Sequence, residues 1–197
     1  MMTPSDYRSL FEKCQLTNEA KRLKELESVC RIILNNQVLY QTVSRFVSVP
    51  WPLIGAIHSR ESSLNFTRHL HNGDPLAFRT TNVPEGRPAL GTPPFTWVES
   101  AIDALEGAWL PMAWDVPGCL EFLERYNGLG YQKRGVSSPY VWNYTDRYVC
   151  GLYVADGKFD PLKVEARPGC VAILKTLEKK GVTLEFTALP ARDSALH

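Results

Sequence analysis

The sequence has no apolar run long enough to cross a bilayer, which argues against a helical membrane protein. Its longest mostly apolar stretch, residues 47–57, is interrupted by Pro50 and Pro52, whereas a membrane-spanning helix needs about 20 apolar residues. The first residues include Asp6 and Glu12 and lack the apolar run of a signal peptide. We therefore expect a chain without stable membrane insertion that is made in the cytoplasm without a recognisable signal peptide, or one whose signal has been removed.

An excess of charge of either sign is also missing. The 22 Lys and Arg residues balance 21 Asp and Glu residues, so the formal net charge is +1. Because nucleic acids and anionic membranes attract strongly basic surfaces, this balance favours neither as a partner. The sequence has no internal repeat and no linker to a second domain. We expect a monomer with one domain over residues 1–187 and a mobile tail over 188–197.

Cysteine is scarce, and its spacing matches no zinc knuckle or redox motif. The five cysteines are Cys14, Cys30, Cys119, Cys150 and Cys170. An odd, scattered set favours free thiols, mostly buried, over a disulfide framework. No resident cofactor is expected from the sequence.

Capping residues, prolines and glycines divide the rest of the chain into helices and loops. Helices are predicted at residues 4–14, from Thr17 to Asn35, from there to about residue 47, and at 52–61, 96–108, 115–127, 138–148 and 168–180. Turn residues dominate residues 64–94. This composition predicts a small β-hairpin lobe with a loop over that range. A terminal strand is predicted over residues 182–187.

The most informative residue is Glu61, which is followed at once by Ser62 and preceded by the apolar segment 47–57. Core-forming residues on one side and a polar turn on the other favour a raised carboxyl pKa, as a general acid near neutral pH requires. The competing interpretation is a solvated helix-end residue or the partner of Arg60 or Arg68.

A second carboxylate is expected at Asp74, 13 residues after Glu61 and beyond a turn. There it would hold or deprotonate a water, as in an inverting glycosidase, or else only build the turn before Pro75. Thr80 and Thr81 would hold the same water, or serve as ordinary strand residues. Glu85 and Asp103 are weaker candidates for the second carboxylate.

The order of these elements resembles the lysozyme-like superfamily, which includes phage endolysins, bacterial muramidases and lytic transglycosylases. Glu61-Ser62 ends a helix, a β-lobe follows, and Tyr126-Asn127-Gly128 lies in a later helical segment. The resemblance covers roughly residues 47–180 and lacks the Gly-Leu-Met-Gln stretch of soluble lytic transglycosylases. It implies a mainly α (α+β) helical domain with a small β-hairpin lobe and a substrate cleft.

The resemblance also implies the activity, which is cleavage of the β-1,4 bond between N-acetylmuramic acid and N-acetylglucosamine with Glu61 as general acid. The residues expected to bind the glycan are Ser62, His71, Thr80, Thr81, Tyr126, Asn127 and Tyr140. The expected partners are peptidoglycan glycan strands and, for a delivered enzyme, a delivery or immunity protein. The chain would act on the cell wall after release or delivery.

Three alternatives stay open at this point. Without a second carboxylate, the muramic acid C6 hydroxyl would attack and give an anhydro product, as in a lytic transglycosylase. His58, His69 and His71 could instead hold Zn²⁺ in a metal-dependent hydrolase, or only form hydrogen bonds around the cleft. The third alternative is a glycan-binding module without activity.

Overall fold

The computed structural model describes residues 3–155 and 157–184, most of them helical or in turns. Its helices are α1 (Pro4–Lys13), α2 (Ala20–Asn35), α3 (Gln37–Val47), α4 (Trp51–Ser62), α5 (Trp97–Leu105), α6 (Val116–Asn127), α7 (Gly130–Lys133), α8 (Pro139–Trp142) and α9 (Cys170–Lys179). Within the described ranges the strands form one antiparallel hairpin, β1 (Leu152–Ala155) with β2 (Lys158–Asp160). These elements confirm a mainly helical α+β protein.

The described residues form two compact units. Of the described residues, the first unit draws on 3–30, 109–155 and 157–184, and the second on 31–108. In the first unit α6 packs on α1 and α8, and α8 packs on α9. In the second unit α3 packs on both α4 and α5.

Helix α4 forms the core of the second unit. Ten of its twelve residues are buried. Residues 52–57 are apolar on every face of the helix rather than on one, and the polar His58, Ser59, Arg60 and Ser62 are buried after them. Gly55 lets this helix approach its neighbour, since a Cβ at this position would lie 2.7 Å from Cγ2 of Ile33. The result is a helix that is packed against its neighbours over almost its whole length.

The structure confirms several of the predicted helix starts and ends, although α2 begins at Ala20, three residues after the predicted cap Thr17, and α5 ends at Leu105 rather than near residue 108. Thr3 and Thr96 each form a capping box, with Asp6 and Glu99, and the Asp115 side chain accepts a hydrogen bond from the amide of Gly118. Three other boundaries also agree: α2 ends at Asn35, α6 ends at Asn127 before Gly128, and α9 ends just before Lys180. Caps are local interactions, so a sequence reveals them directly.

The predicted β-hairpin lobe differs from the structure. Residues 64–94 contain turns and one isolated bridge, between Arg68 and Pro75, and no strand. Five prolines in this segment, Pro75, Pro84, Pro88, Pro93 and Pro94, lack the N–H that a ladder needs. The strands that the structure does describe, Leu152–Ala155 and Lys158–Asp160, form a hairpin in the first unit instead.

Two further predictions differ in extent. The helix expected over residues 138–148 stops at Trp142, because Asn143 is extended and its side-chain amide donates to the carbonyls of Glu165 and Arg167. Residues 182–184 form no strand. The remainder of the predicted strand, at 185–187, and the tail at 188–197 lie outside the described residues.

All five cysteines are free thiols, and only Cys150 is exposed, as their scattered spacing predicts. In the described ranges, no helix combines the length and the apolarity that crossing a membrane requires.

We expect Gly118→Ala to destabilise the protein strongly. A Cβ at this position would lie 1.9 Å from the carbonyl oxygen of Ala113, so the backbone at the start of α6 must move. Overpacking typically costs about 1–3 kcal/mol, which corresponds to a fall of several degrees in melting temperature. Glu121→Ala, on a partly exposed position of the same helix, is the control and should melt close to wild type. Equal melting of both variants would contradict this packing.

Candidate functional site

Glu61 is the one charged side chain that α4 exposes. Only Trp51 and Glu61 of its twelve residues are partly exposed, and the neighbouring Arg60 and Ser62 are buried. Ser63 and Leu64 then take left-handed conformations, with φ of 53° and 59°, and both amides donate to the carbonyl of His58. The chain therefore turns sharply just after Glu61, which leaves this carboxyl group at the accessible end of a buried helix.

A tight turn packs against the same helix end. Gly73 has a φ of 79°, and a Cβ there would lie 3.3 Å from the Glu61 carbonyl oxygen and 3.9 Å from Cβ of Ser62. A small residue at position 62 leaves room for this approach. The Ser62 hydroxyl is buried and has no hydrogen-bond partner among the described residues, so the predicted sugar contact by Ser62 stays a prediction.

The turn at Gly73 presents Asp74, whose carboxylate closes the loop that follows. Its Oδ2 accepts from the amides of Thr81 and Asn82 at 2.8 and 2.9 Å, and its Oδ1 accepts from Nδ2 of Asn82 at 2.7 Å. The hydrogen bond from the Asn82 amide is the largest of the influences that lower the pKa of Asp74 to about 2. Asp74 therefore stays ionised at neutral pH, next to the end of α4.

The turn before Pro75 is an Asx turn formed by Asn72, whose Oδ1 accepts from the Asp74 amide.

The two candidate threonines have different environments. Thr80 is 2% exposed, and its hydroxyl donates to the carbonyl of Pro84 at 2.5 Å and accepts from the amide of Arg87 at 2.8 Å. Its hydroxyl is thus used to hold the loop. Thr81 is exposed, and its hydroxyl lies 3.4 Å from Oδ2 of Asp74. Of the two, Thr81 is the one that is open to a water or a sugar.

His71 anchors the loop to α5 through Asp103. The Asp103 carboxylate accepts three hydrogen bonds: from Nε2 of His71 at 2.8 Å, from Nε of Arg87 at 2.8 Å and from the amide of Ala89 at 3.0 Å. The His71 side chain is only 4% exposed, and burial lowers its pKa although Asp103 opposes this effect. Asp103 therefore acts as an anchor for residues 71–89, a role that the sequence does not reveal because its partners are distant along the chain.

His69 is also fully engaged. Its Nε2 lies 2.7 Å from the carbonyl oxygen of Phe78 and its Nδ1 lies 2.9 Å from Oγ of Ser100. Because a carbonyl only accepts, Nε2 donates a hydrogen bond to Phe78, while Nδ1 is hydrogen-bonded to the serine hydroxyl. Both ring nitrogens are therefore used within the loop and α5.

His58 lies in an aromatic cluster inside the second unit. Its Nδ1 is 3.0 Å from the hydroxyl of Tyr40, and its ring packs on Phe66 and Trp97 with centroids 4.6 Å away. Burial lowers the pKa of His58 to about 4, so the ring is neutral at pH 7. Over residues 3–155 and 157–184, no three His, Cys, Asp or Glu side chains come together as metal ligands. His69 and His71 are neighbours, with ring centroids 5.8 Å apart, but among the described residues the three histidines do not come together as the zinc site of the metal-dependent alternative.

The remaining predicted glycan contacts belong to the first unit. Nδ2 of Asn127 donates to Oγ of Ser138 at 3.0 Å, which holds the end of α6 to the start of α8. The Tyr126 ring packs on Phe122 with centroids 6.1 Å apart, and Tyr140 is buried, 6% exposed. These contacts explain the structural roles of the three residues, and their binding of a sugar stays a prediction.

Comparison of the chain with protein-family models, with curated proteins and with solved structures found no match. The function must therefore be inferred from the chemistry of the residues themselves.

Proposed function

We propose that the protein is a lysozyme-type glycosidase that cleaves the β-1,4 bond between N-acetylmuramic acid and N-acetylglucosamine in peptidoglycan. The observation that carries this proposal is the position of Glu61, the single accessible acid on an otherwise buried helix. A rigid helix holds a catalytic group at fixed geometry, which is what proton transfer requires. The C-terminal turn of a helix carries partial negative charge, which favours the protonated form of a carboxyl group there.

In this mechanism protonated Glu61 donates its proton to the glycosidic oxygen while positive charge develops on the sugar ring. Asp74 lies on the turn that packs against the same helix end and is ionised. Its negative charge would stabilise the positive ring, and Thr81 beside it would hold the water that attacks the anomeric carbon and gives its proton to the Glu61 carboxylate. The glycan strand is thus the substrate, and the end of α4 with residues 72–82 is the catalytic part of the site.

One observation favours the lytic transglycosylase as a second candidate. With a pKa of about 2, Asp74 is a weak base, so it suits electrostatic stabilisation better than deprotonation of a water. Glu61, once it has donated its proton, could then accept the proton of the muramic acid C6 hydroxyl. The product would be an anhydro sugar, lighter than the hydrolysis product by one water.

We expect the activity to be insensitive to metal chelation. The ring nitrogens of His69 are both engaged by Ser100 and Phe78, and those of His71 by Asp103 and, at longer range, Ser100. Release of reducing ends and clearing of a suspension of purified cell walls should be unchanged after treatment with EDTA. If the product is an anhydro sugar, clearing alone reports the activity. Loss of clearing on chelation, with recovery on adding Zn²⁺, would contradict the mechanism and favour a metal-dependent hydrolase.

A further inference from the structure

The first unit contains a cavity of about 540 Å³, a volume within the range of pockets that bind small molecules. The residues that line it include Leu10, Glu124, Leu129, Val136 and Trp142. Lys133, Val136 and Ser137 are exposed and form its rim, whereas Glu124 and Trp142 are buried. The cavity thus runs from a polar rim to a buried acidic group, and apolar side chains make up much of its wall.

Glu124 is 2% exposed and lacks half of its hydrogen bonds. Its Oε1 accepts from Nε1 of Trp142 at 3.2 Å, but its Oε2 is buried without a hydrogen-bond partner among the described residues. A buried polar atom without a partner destabilises the fold, and such atoms are rare in native proteins. No step of the proposed glycosidase mechanism uses this carboxyl group.

The charge of Glu124 is set by its burial. Burial raises its pKa to about 7, although the hydrogen bond from Trp142 opposes this effect. Close to pH 7 the group is therefore divided between its neutral and ionised forms, and a cation that reaches it would favour the ionised form. The other charged groups on the cavity wall are Asp6, Lys133 and Arg147. Tyr7 lies near Glu124. Burial, and after it the negative charge of Glu124, raise the pKa of the Tyr7 hydroxyl to about 12.

We propose that this cavity binds a small organic amine, with the ammonium group on the Glu124 carboxylate and an apolar body against Leu10, Leu129 and Val136. An ammonium supplies both the hydrogen-bond donor that Oε2 lacks and the charge that a buried carboxylate needs. The aliphatic side chains suit a ligand body of the size of one ring. No residue of the proposed catalytic part of the glycosidase site, the end of α4 with residues 72–82, lines this cavity, so the amine site does not rest on that activity.

The test uses 2-phenylethylamine as the probe and 2-phenylethanol as its uncharged counterpart of equal size. Isothermal titration calorimetry of the full chain at pH 8 should show the amine binding about 10- to 100-fold more tightly than the alcohol, as expected for one charge-assisted hydrogen bond. At pH 6 the amine should bind more weakly, because protonated Glu124 must first release its proton. Equal affinity for the two probes, or no binding of the amine at millimolar concentration, would overturn the proposal.

Two variants localise the site. Glu124→Gln removes the charge at constant size and should lower the affinity for the amine by about tenfold or more and abolish its pH dependence. Glu121→Gln makes the same change one turn earlier on α6, where the side chain pairs with Arg125, and should leave binding unchanged. Val136→Trp, at an exposed rim position, should block entry and abolish binding even if Glu124→Gln proves unstable. Unchanged binding in Val136→Trp, or in folded Glu124→Gln, would show that the amine does not bind in this cavity.

Discussion

Replacing Glu61 by glutamine is expected to abolish cleavage of purified peptidoglycan while the fold is retained. Glutamine keeps the size of the side chain and some of its hydrogen bonding, but it has no proton to donate to the leaving oxygen. General acid–base catalysis contributes typically 10²–10⁴-fold, so the rate of wall clearing should fall by at least about that factor. Because Glu61 is only partly buried, at a helix end, the melting temperature should shift by only about a few degrees.

Glu106→Gln is the matched control for this experiment. Glu106 also lies at the C-terminal end of a helix of the second unit, as the C-cap residue of α5, but it is exposed. The Glu106→Gln variant should retain wild-type activity. If Glu61→Gln cleared cell walls as fast as Glu106→Gln, Glu61 would not be the acid, and the glycosidase mechanism would have to be abandoned.

Replacing Asp74 by asparagine is expected to have the second largest effect. The variant loses the negative charge next to the end of α4, and activity should fall by roughly 10²-fold, since electrostatic stabilisation of a charged transition state contributes about that much. The asparagine side chain also replaces one carboxylate oxygen, an acceptor, by an NH2 group, a donor. The backbone amides of Thr81 and Asn82 donate to this carboxylate in the wild type. The loop should therefore loosen, and the urea midpoint at pH 7 should decrease.

This loss of stability should itself depend on pH. The pKa of Asp74 is lowered to about 2 in the folded protein, below its value of about 3.9 in the unfolded chain. Its contribution is therefore complete above about pH 4 and disappears as the pH falls towards 2. The urea midpoints of wild type and Asp74→Asn should converge over this range. Protonation of His58 also destabilises the folded state in acid, but it affects both proteins equally. A difference that stayed constant from pH 5 to pH 2 would show that the Asp74 charge is not what stabilises the loop.

The helical part of the candidate site could be predicted from the sequence because its signals are local. Pro50 and Pro52 mark the start of α4, and the polar run after Ile57 marks its end. These features place Glu61 near the end of a helix without knowledge of the fold. Likewise, capping boxes at Thr3 and Thr96 fix helix starts through contacts only three residues apart.

The loop part could not be predicted, because its contacts join distant residues. Asp103 holds His71 from 32 positions away and Arg87 from 16, and no local pattern indicates such pairs. Asn72-Gly73 does form a turn, but the prolines that follow prevent a ladder. The true hairpin carried a signal that was missed, the pair Asp156-Gly157 between Leu152–Ala155 and Lys158–Asp160, which is typical of a two-residue hairpin turn.

Glu124 illustrates a different limit of sequence analysis. Its position on α6 was clear from the periodicity of that helix, yet a glutamate in a helix is usually solvated. Only the packing of Trp142 and the wall of the cavity show that this one is buried. Burial of a single charged residue is a property of the whole fold, so the sequence alone gives no reason to single out Glu124.

The most direct test of the proposed function is mass spectrometry of the soluble products released from purified peptidoglycan. The wild-type chain should release disaccharide-peptides that end in N-acetylmuramic acid, in its reducing form for a hydrolase or its anhydro form for a transglycosylase. Glu61→Gln should release neither. Fragments cut within the peptide stems, or the same muramic acid products from Glu61→Gln, would contradict the assignment of Glu61 as the acid of a lysozyme-type glycosidase.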